Sequence, residues 1–165
     1  MIITPILIIF MFVVFLLLFL FLNTVDRRKW LTILISLILT PFAYYYVFYP
    51  FVNIISSYHH QKYFNSEAWI DKPALRYEMI DQTIESDTLI GLSKSKIEEI
   101  LGKHEWLSWD DAKKDLDENK WNYGIGIEPG AFNNQKECAE LQFKNDTLIK
   151  ILNYQEEITF NKEDE

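Results

Sequence analysis

Any chemistry in this chain would rest on three histidines, one cysteine and a run of carboxylates. His59 and His60 are adjacent, so on a helix they diverge, and His104 is more than forty residues away. Zinc asks for three or four ligands at supporting spacings, so these histidines are expected to be solvated interfacial residues with no bound metal or other cofactor. Cys138 would become a nucleophile only if His104 and a carboxylate approached it in space. No activating motif surrounds it, and a partly buried strand cysteine is the expectation. Asp110, Asp111, Asp115, Asp117 and Glu118 lack the loop glycine and spaced terminal glutamate of an EF-hand, which leaves a solvated charged face. Gly124-x-Gly126 lies within a strand signal with no helix after it, so it is not a phosphate loop. No catalytic set emerges. Aromatic residues remain: Trp121 and Tyr123 suit a small core, whereas Trp106 and Trp109 are the candidate partner-binding residues, because aromatics dominate binding hot spots.

The elements that would position these residues begin with two apolar runs, Ile2 to Leu22 and Leu31 to Val52. Runs of 21 and 22 residues reach about 31 and 33 Å as helices, which matches a hydrocarbon core of about 30 Å. No basic residue precedes the first run and no small-residue cleavage site follows it, so a retained span is expected in place of a removed signal. Neither run contains Asp, Glu, Lys, Arg or His, the usual marks of proton relays and ion paths, so the pair reads as an anchoring hairpin. The runs also lack a small-xxx-small face built on glycine. Pro41 predicts a kink in the second run.

Arg27, Arg28 and Lys29 sit between the runs, and basic residues near span ends mark the cytoplasmic side. The expected arrangement is an integral membrane protein of the bacterial inner membrane with the C-terminal domain outside the cytoplasm. Trp30 is placed at the inner interface, and Tyr44, Tyr45, Tyr46, Tyr49 and Tyr58 at the outer one. The interface set is therefore Arg27, Arg28, Lys29, Trp30, Tyr45 and Tyr49.

Beyond Val52 the chain carries a net charge of −10, against +2 before it. That acidity argues against nucleic acid, which requires clustered Lys and Arg. Residues 53–72 read as a juxtamembrane linker or helical extension. Pro73 is expected to open a helix over 73–86, with Tyr77, Ile80 and Ile84 on one face. Ser93 is an N-cap for a second helix that Gly102 ends. A charged helical turn or loop is expected from Ser108 to Glu118. Strands follow at Trp121–Ile127, Cys138–Phe143 and Thr147–Tyr154, the last two joined by a tight Asn145-Asp146 turn. Residues 156–165 form an acidic tail.

The segment Ile90-Gly-Leu-Ser-Lys-Ser-Lys-Ile-Glu-Glu-Ile-Leu-Gly102, followed by Trp121-Asn-Tyr123 and Leu141-Gln-Phe-Lys-Asn-Asp-Thr-Leu-Ile149, resembles the BamE/SmpA/OmlA-like domains over roughly residues 75 to 155. The resemblance implies an α+β fold of two helices on a three-stranded antiparallel sheet over 73–155, a fold shared with β-lactamase-inhibitor proteins. Family members of this kind bind other proteins and anionic lipid at the outer membrane. This chain departs from them in having no lipidation cysteine and two N-terminal spans, and Asp146-Thr147 replaces the usual turn glycine. The expectation is a membrane-anchored noncatalytic interaction module that meets lipid through its spans and a protein or envelope component through its domain. The alternatives are a membrane-bound thiol- or metal-dependent hydrolase, and an inhibitor or immunity protein.

Overall fold

The computed structural model describes residues 1–158 and divides into two compact units, one comprising Met1–His60 with the loop Pro129–Phe132, the other Gln61–Glu128 and the chain from Asn133 onward. Most of the acidic tail, residues 159–165, lies outside the described residues, while Glu156 and Glu157 belong to a strand.

The first unit is a helical hairpin. Thr4 caps helix α1 (Pro5–Val25), with Pro5 at its first turn, where a missing N–H costs nothing. The second helix runs from Lys29 to Ile55 as α2 (Lys29–Ala43), a π-helical turn at Tyr44–Phe48 and α3 (Tyr49–Ile55). Both are long and apolar enough to cross a membrane. The irregularity expected at Pro41 lies just beyond it, as a wide turn between Pro41 and Pro50. Pro50 has no N–H for the carbonyl four residues back, and the π turn absorbs that loss.

The face of α2 that meets α1 is built on hydroxyl residues. Thr32, Ser36, Thr40 and Tyr44, four apart, are all buried. Each small hydroxyl bonds within its own helix: Thr32 Oγ1 to the Lys29 carbonyl at 2.9 Å, Ser36 Oγ to Thr32 at 2.6 Å and Thr40 Oγ1 to Ser36 at 2.7 Å. This is the small-residue stripe that a search for glycine overlooks, and it permits close helix approach without an unsatisfied polar group.

The second unit is α+β. Helices α4 (Ser66–Asp71), α5 (Tyr77–Glu85) and α6 (Lys94–Leu101) accompany one antiparallel sheet ordered β1 (Trp106–Asp110), β2 (Asp115–Gly126), β3 (Gln135–Lys144) and β4 (Thr147–Glu157). The sheet therefore has four strands where three were expected, and there is one more helix than the predicted pair. Trp106 to Asp110 is an edge strand rather than part of a charged helical turn. Its β-favouring Trp-Leu-Ser-Trp outweighs the i,i+4 charge pairs, and Asp110 Oδ1 takes the Ala112 N–H at 2.9 Å to close the turn. Helix α5 starts at Tyr77 rather than Pro73, because Leu75 is engaged in a bridge with Gly126. A Cβ at Gly126 would lie 2.4 Å from the Ala74 carbonyl oxygen, so only glycine admits this contact.

The other signals act as read. Ser93 caps α6, Gly102 ends it at φ 76°, and Asn145 and Asp146 turn at φ 49° and 64°, which needs no glycine. Trp121, Tyr123, Leu141 and Phe143 face the helices and close the core with Ile97 and Leu101. Trp69, placed by sequence in a linker, is also fully buried there.

Candidate functional site: the open face of the sheet

Alternation along a strand sends successive side chains to opposite faces. Since Trp121, Tyr123, Ala139 and Leu141 pack into the core, their neighbours Asn122, Cys138 and Glu140 belong to the other face. That face pairs Trp106 with Asn122, Asn122 with Glu140, and Glu140 with Leu152, so one row crosses all four strands. A cleft of about 530 Å³ lies along it, lined by Trp106, Ser108, Trp109, Glu140, Leu152 and Tyr154, among others.

The floor of the cleft is held by a directed chain of hydrogen bonds. Tyr154 donates to Asn122 Oδ1 at 3.0 Å, Asn122 Nδ2 donates to Ser108 Oγ at 2.9 Å, and Ser108 Oγ donates to Glu140 Oε2. Gln142 Nε2 reaches the other Glu140 oxygen at 2.7 Å. A carboxylate that accepts two donors is fixed in direction; the links from Tyr154 through Asn122 and Ser108 to Glu140 each join different strands, and Gln142 adds one from within β3. Burial pushes the Tyr154 phenol up, so it stays a donor. Trp106 forms one wall, with Lys136 Nζ 5.0 Å from its ring centroid, and Trp109 stands 55% exposed. Flat aromatic walls over a rigid polar floor suit binding of another surface.

Cys138, across the ladder from Tyr154, is fully buried rather than partly so, and burial pushes its thiol up to about 11. A group titrating there is about one part in 10⁴ thiolate at neutral pH, and the thiolate is the nucleophile. His104 stacks on Trp121, 4.7 Å between ring centroids, which places it with the opposite face of the sheet from Cys138. Burial lowers its pKa, and it is no partner for the thiol.

No family model matches the chain, and no curated protein or solved structure is similar to it. Its function must be argued from its own geometry.

Both predicted partner-binding residues, Trp106 and Trp109, line the cleft, and Trp121 and Tyr123 lie in the core. Arg27, Arg28, Lys29 and Trp30 are exposed around the turn between α1 and α2. Tyr45 is exposed, but Tyr49 stacks on His60 with 4.0 Å between ring centroids, and Tyr44 is wholly buried with its hydroxyl 2.9 Å from His60 Nε2. These residues form an aromatic cluster with Tyr58 and Phe10. Asp110 is engaged by its own turn: the Ala112 N–H and the Lys113 side chain, 3.3 Å away, hold its carboxyl below the usual range. Among the described residues no three His, Cys, Asp or Glu side chains converge on a metal-sized space.

Sequence reasoning missed Ser108, Asn122, Glu140, Leu152 and Tyr154. The signal was available in period two: with Trp121, Tyr123 and Leu141 inside, Asn122 and Glu140 must face away.

Proposed function

We propose that this is a membrane-anchored, noncatalytic interaction module whose open sheet face receives a protein partner. The observation that carries it is the aromatic cleft of Trp106, Trp109 and Tyr154 on the face opposite α4, α5 and α6, in a chain with two helices fit to cross a membrane. The floor of this cleft consists of side chains that bond one another, and its single thiol is buried and protonated, which suits recognition better than turnover.

Arg27, Arg28 and Lys29 support an orientation with the turn in the cytoplasm and the domain on the far side. The resemblance to BamE-like domains accords with a binding role, and the fourth strand at Trp106–Asp110 extends that pattern at the very edge that carries the two tryptophans.

Position-specific photocrosslinking in intact cells tests this. A photoreactive residue replacing Trp106 or Trp109 is expected to give one discrete adduct that Tyr154→Ala weakens, while the same residue at Ala112, in the exposed turn, gives none. Adducts equal at all three positions, or absent at all three, would reject the reading.

A further inference from the structure

The loop between β2 and β3 contains Phe132, whose side chain is 94% exposed, more open than any other large apolar side chain among the described residues. Single exposed apolar residues are ordinary, but two further observations fix where this one stands. The loop Pro129–Phe132 belongs to the same compact unit as the helical hairpin. Within that unit the Ala131 N–H donates to the Ile54 carbonyl at 3.0 Å.

The last carbonyls of a helix have no partner inside it, so Ala131 supplies one at the end of the second span. Gly130, at φ 131°, takes a backbone conformation that other residues avoid, and it lets the loop turn at this point. The residue before Phe132 is thereby bonded to the last turn of the second span, which carries the exposed Ile54 and Ile55, at the level where the apolar run gives way to polar residues. That level is the membrane interface if the helices cross, and aromatic side chains favour it.

We infer that Phe132 inserts into the bilayer at the boundary between headgroups and acyl chains, as a third membrane contact beside the two spans. Its occupant is lipid: the loop that carries it is bonded to the end of the second span, where Ile54 and Ile55 are exposed as well. The inference rests on the reading that both helices cross a membrane.

The test uses the full-length chain in phosphatidylcholine nanodiscs, with Phe132→Cys in a Cys138→Ala background carrying an environment-sensitive fluorophore. If that background fails to fold, the native Cys138 is retained, since its buried thiol is protected at pH 7. Labels at Ala112→Cys and Leu20→Cys serve as the aqueous and hydrocarbon references. The expected result is quenching at 132 by lipid carrying a nitroxide near the headgroup, with iodide quenching reduced about threefold or more relative to position 112, as for a side chain roughly 5–10 Å deep. Iodide quenching at 132 equal to that at 112, with Leu20 shielded, would overturn the insertion and leave the spans standing. A Leu20 label open to iodide would overturn both.

Discussion

The hydroxyl stripe of the hairpin and Arg76 of the second unit satisfy buried polar groups in opposite ways. In the hairpin, Thr32, Ser36 and Thr40 bond the carbonyl three or four residues behind them and link nothing to anything else. In the second unit, Arg76 bonds the Trp69 carbonyl at 2.8 Å, Glu105 at 2.5 Å and the Gly124 carbonyl at 2.8 Å, which ties α4, the loop after α6 and β2 together. Its guanidinium also lies 5.0 Å from the Trp69 ring centroid. A helix in hydrocarbon must satisfy its polar groups locally, whereas a water-soluble core can use a buried charge to fix distant elements. The hydroxyls of Thr32, Ser36 and Thr40 are therefore replaceable one at a time, and Arg76 is not, while Tyr44, bonded to His60, stands apart from the stripe.

The largest expected effect is on Arg76. Arg76→Ala removes three bonds at once and is expected to cost about 3 kcal/mol in urea unfolding, near the low end for a broken buried pair because Glu105 is partly open. A loss below about 1 kcal/mol would remove the contrast between the units, since that is the worth of a surface ion pair.

Next is Ser36. Ser36→Leu overfills the contact with α1 and is expected to cost about 1–3 kcal/mol of hairpin stability in detergent. Ser36→Ala loses only a bond internal to α2 and is expected to cost under about 1 kcal/mol. Equal effects would mean that the hydroxyl, not the small volume, holds the helices together.

Alkaline pH gives a smaller test of the domain. The Cys138 thiol is raised to about 11 in the fold, against an ordinary value near 9, so the unfolded chain loses that proton first. Stability is full below about pH 9 and falls as pH rises toward 11, and Cys138→Ala flattens part of that fall. Burial also raises the Tyr123 and Tyr154 phenols, which act in the same direction, so a residual slope remains. Thiol labelling without denaturant at pH 7 is expected to be slow; rapid labelling would contradict the burial.

Smallest of all, Trp109→Ala is expected to change stability by no more than about 0.5 kcal/mol, because the side chain is half open to solvent.

Local signals carried much of this fold. Ser93, Gly102, Asn145 and Asp146 mark their helix and turn ends by short-range chemistry, and the structure uses each as read. What was not legible depended on partners far away in sequence. Trp69 reads as linker until the core closes over it, and Leu75 leaves the expected helix because Gly126 offers a backbone partner. The fourth strand, Trp106–Asp110, was hidden by the charge of its hairpin partner: Asp115 to Lys120, the first half of β2, carries four charged residues, which an exposed stretch of edge hairpin tolerates and a helical turn equally suits. The candidate site was half legible. Trp106 and Trp109 stood out by type, whereas Ser108, Asn122, Glu140 and Tyr154 gain meaning only when the ladder register brings them into one row.

The central claim is that the open face of the sheet meets a protein partner, and photocrosslinking at position 109 in intact cells tests it most directly. A single adduct from 109, absent from 112 and weakened by Tyr154→Ala, is the expected result. An adduct pattern that does not distinguish 109 from 112 would contradict it.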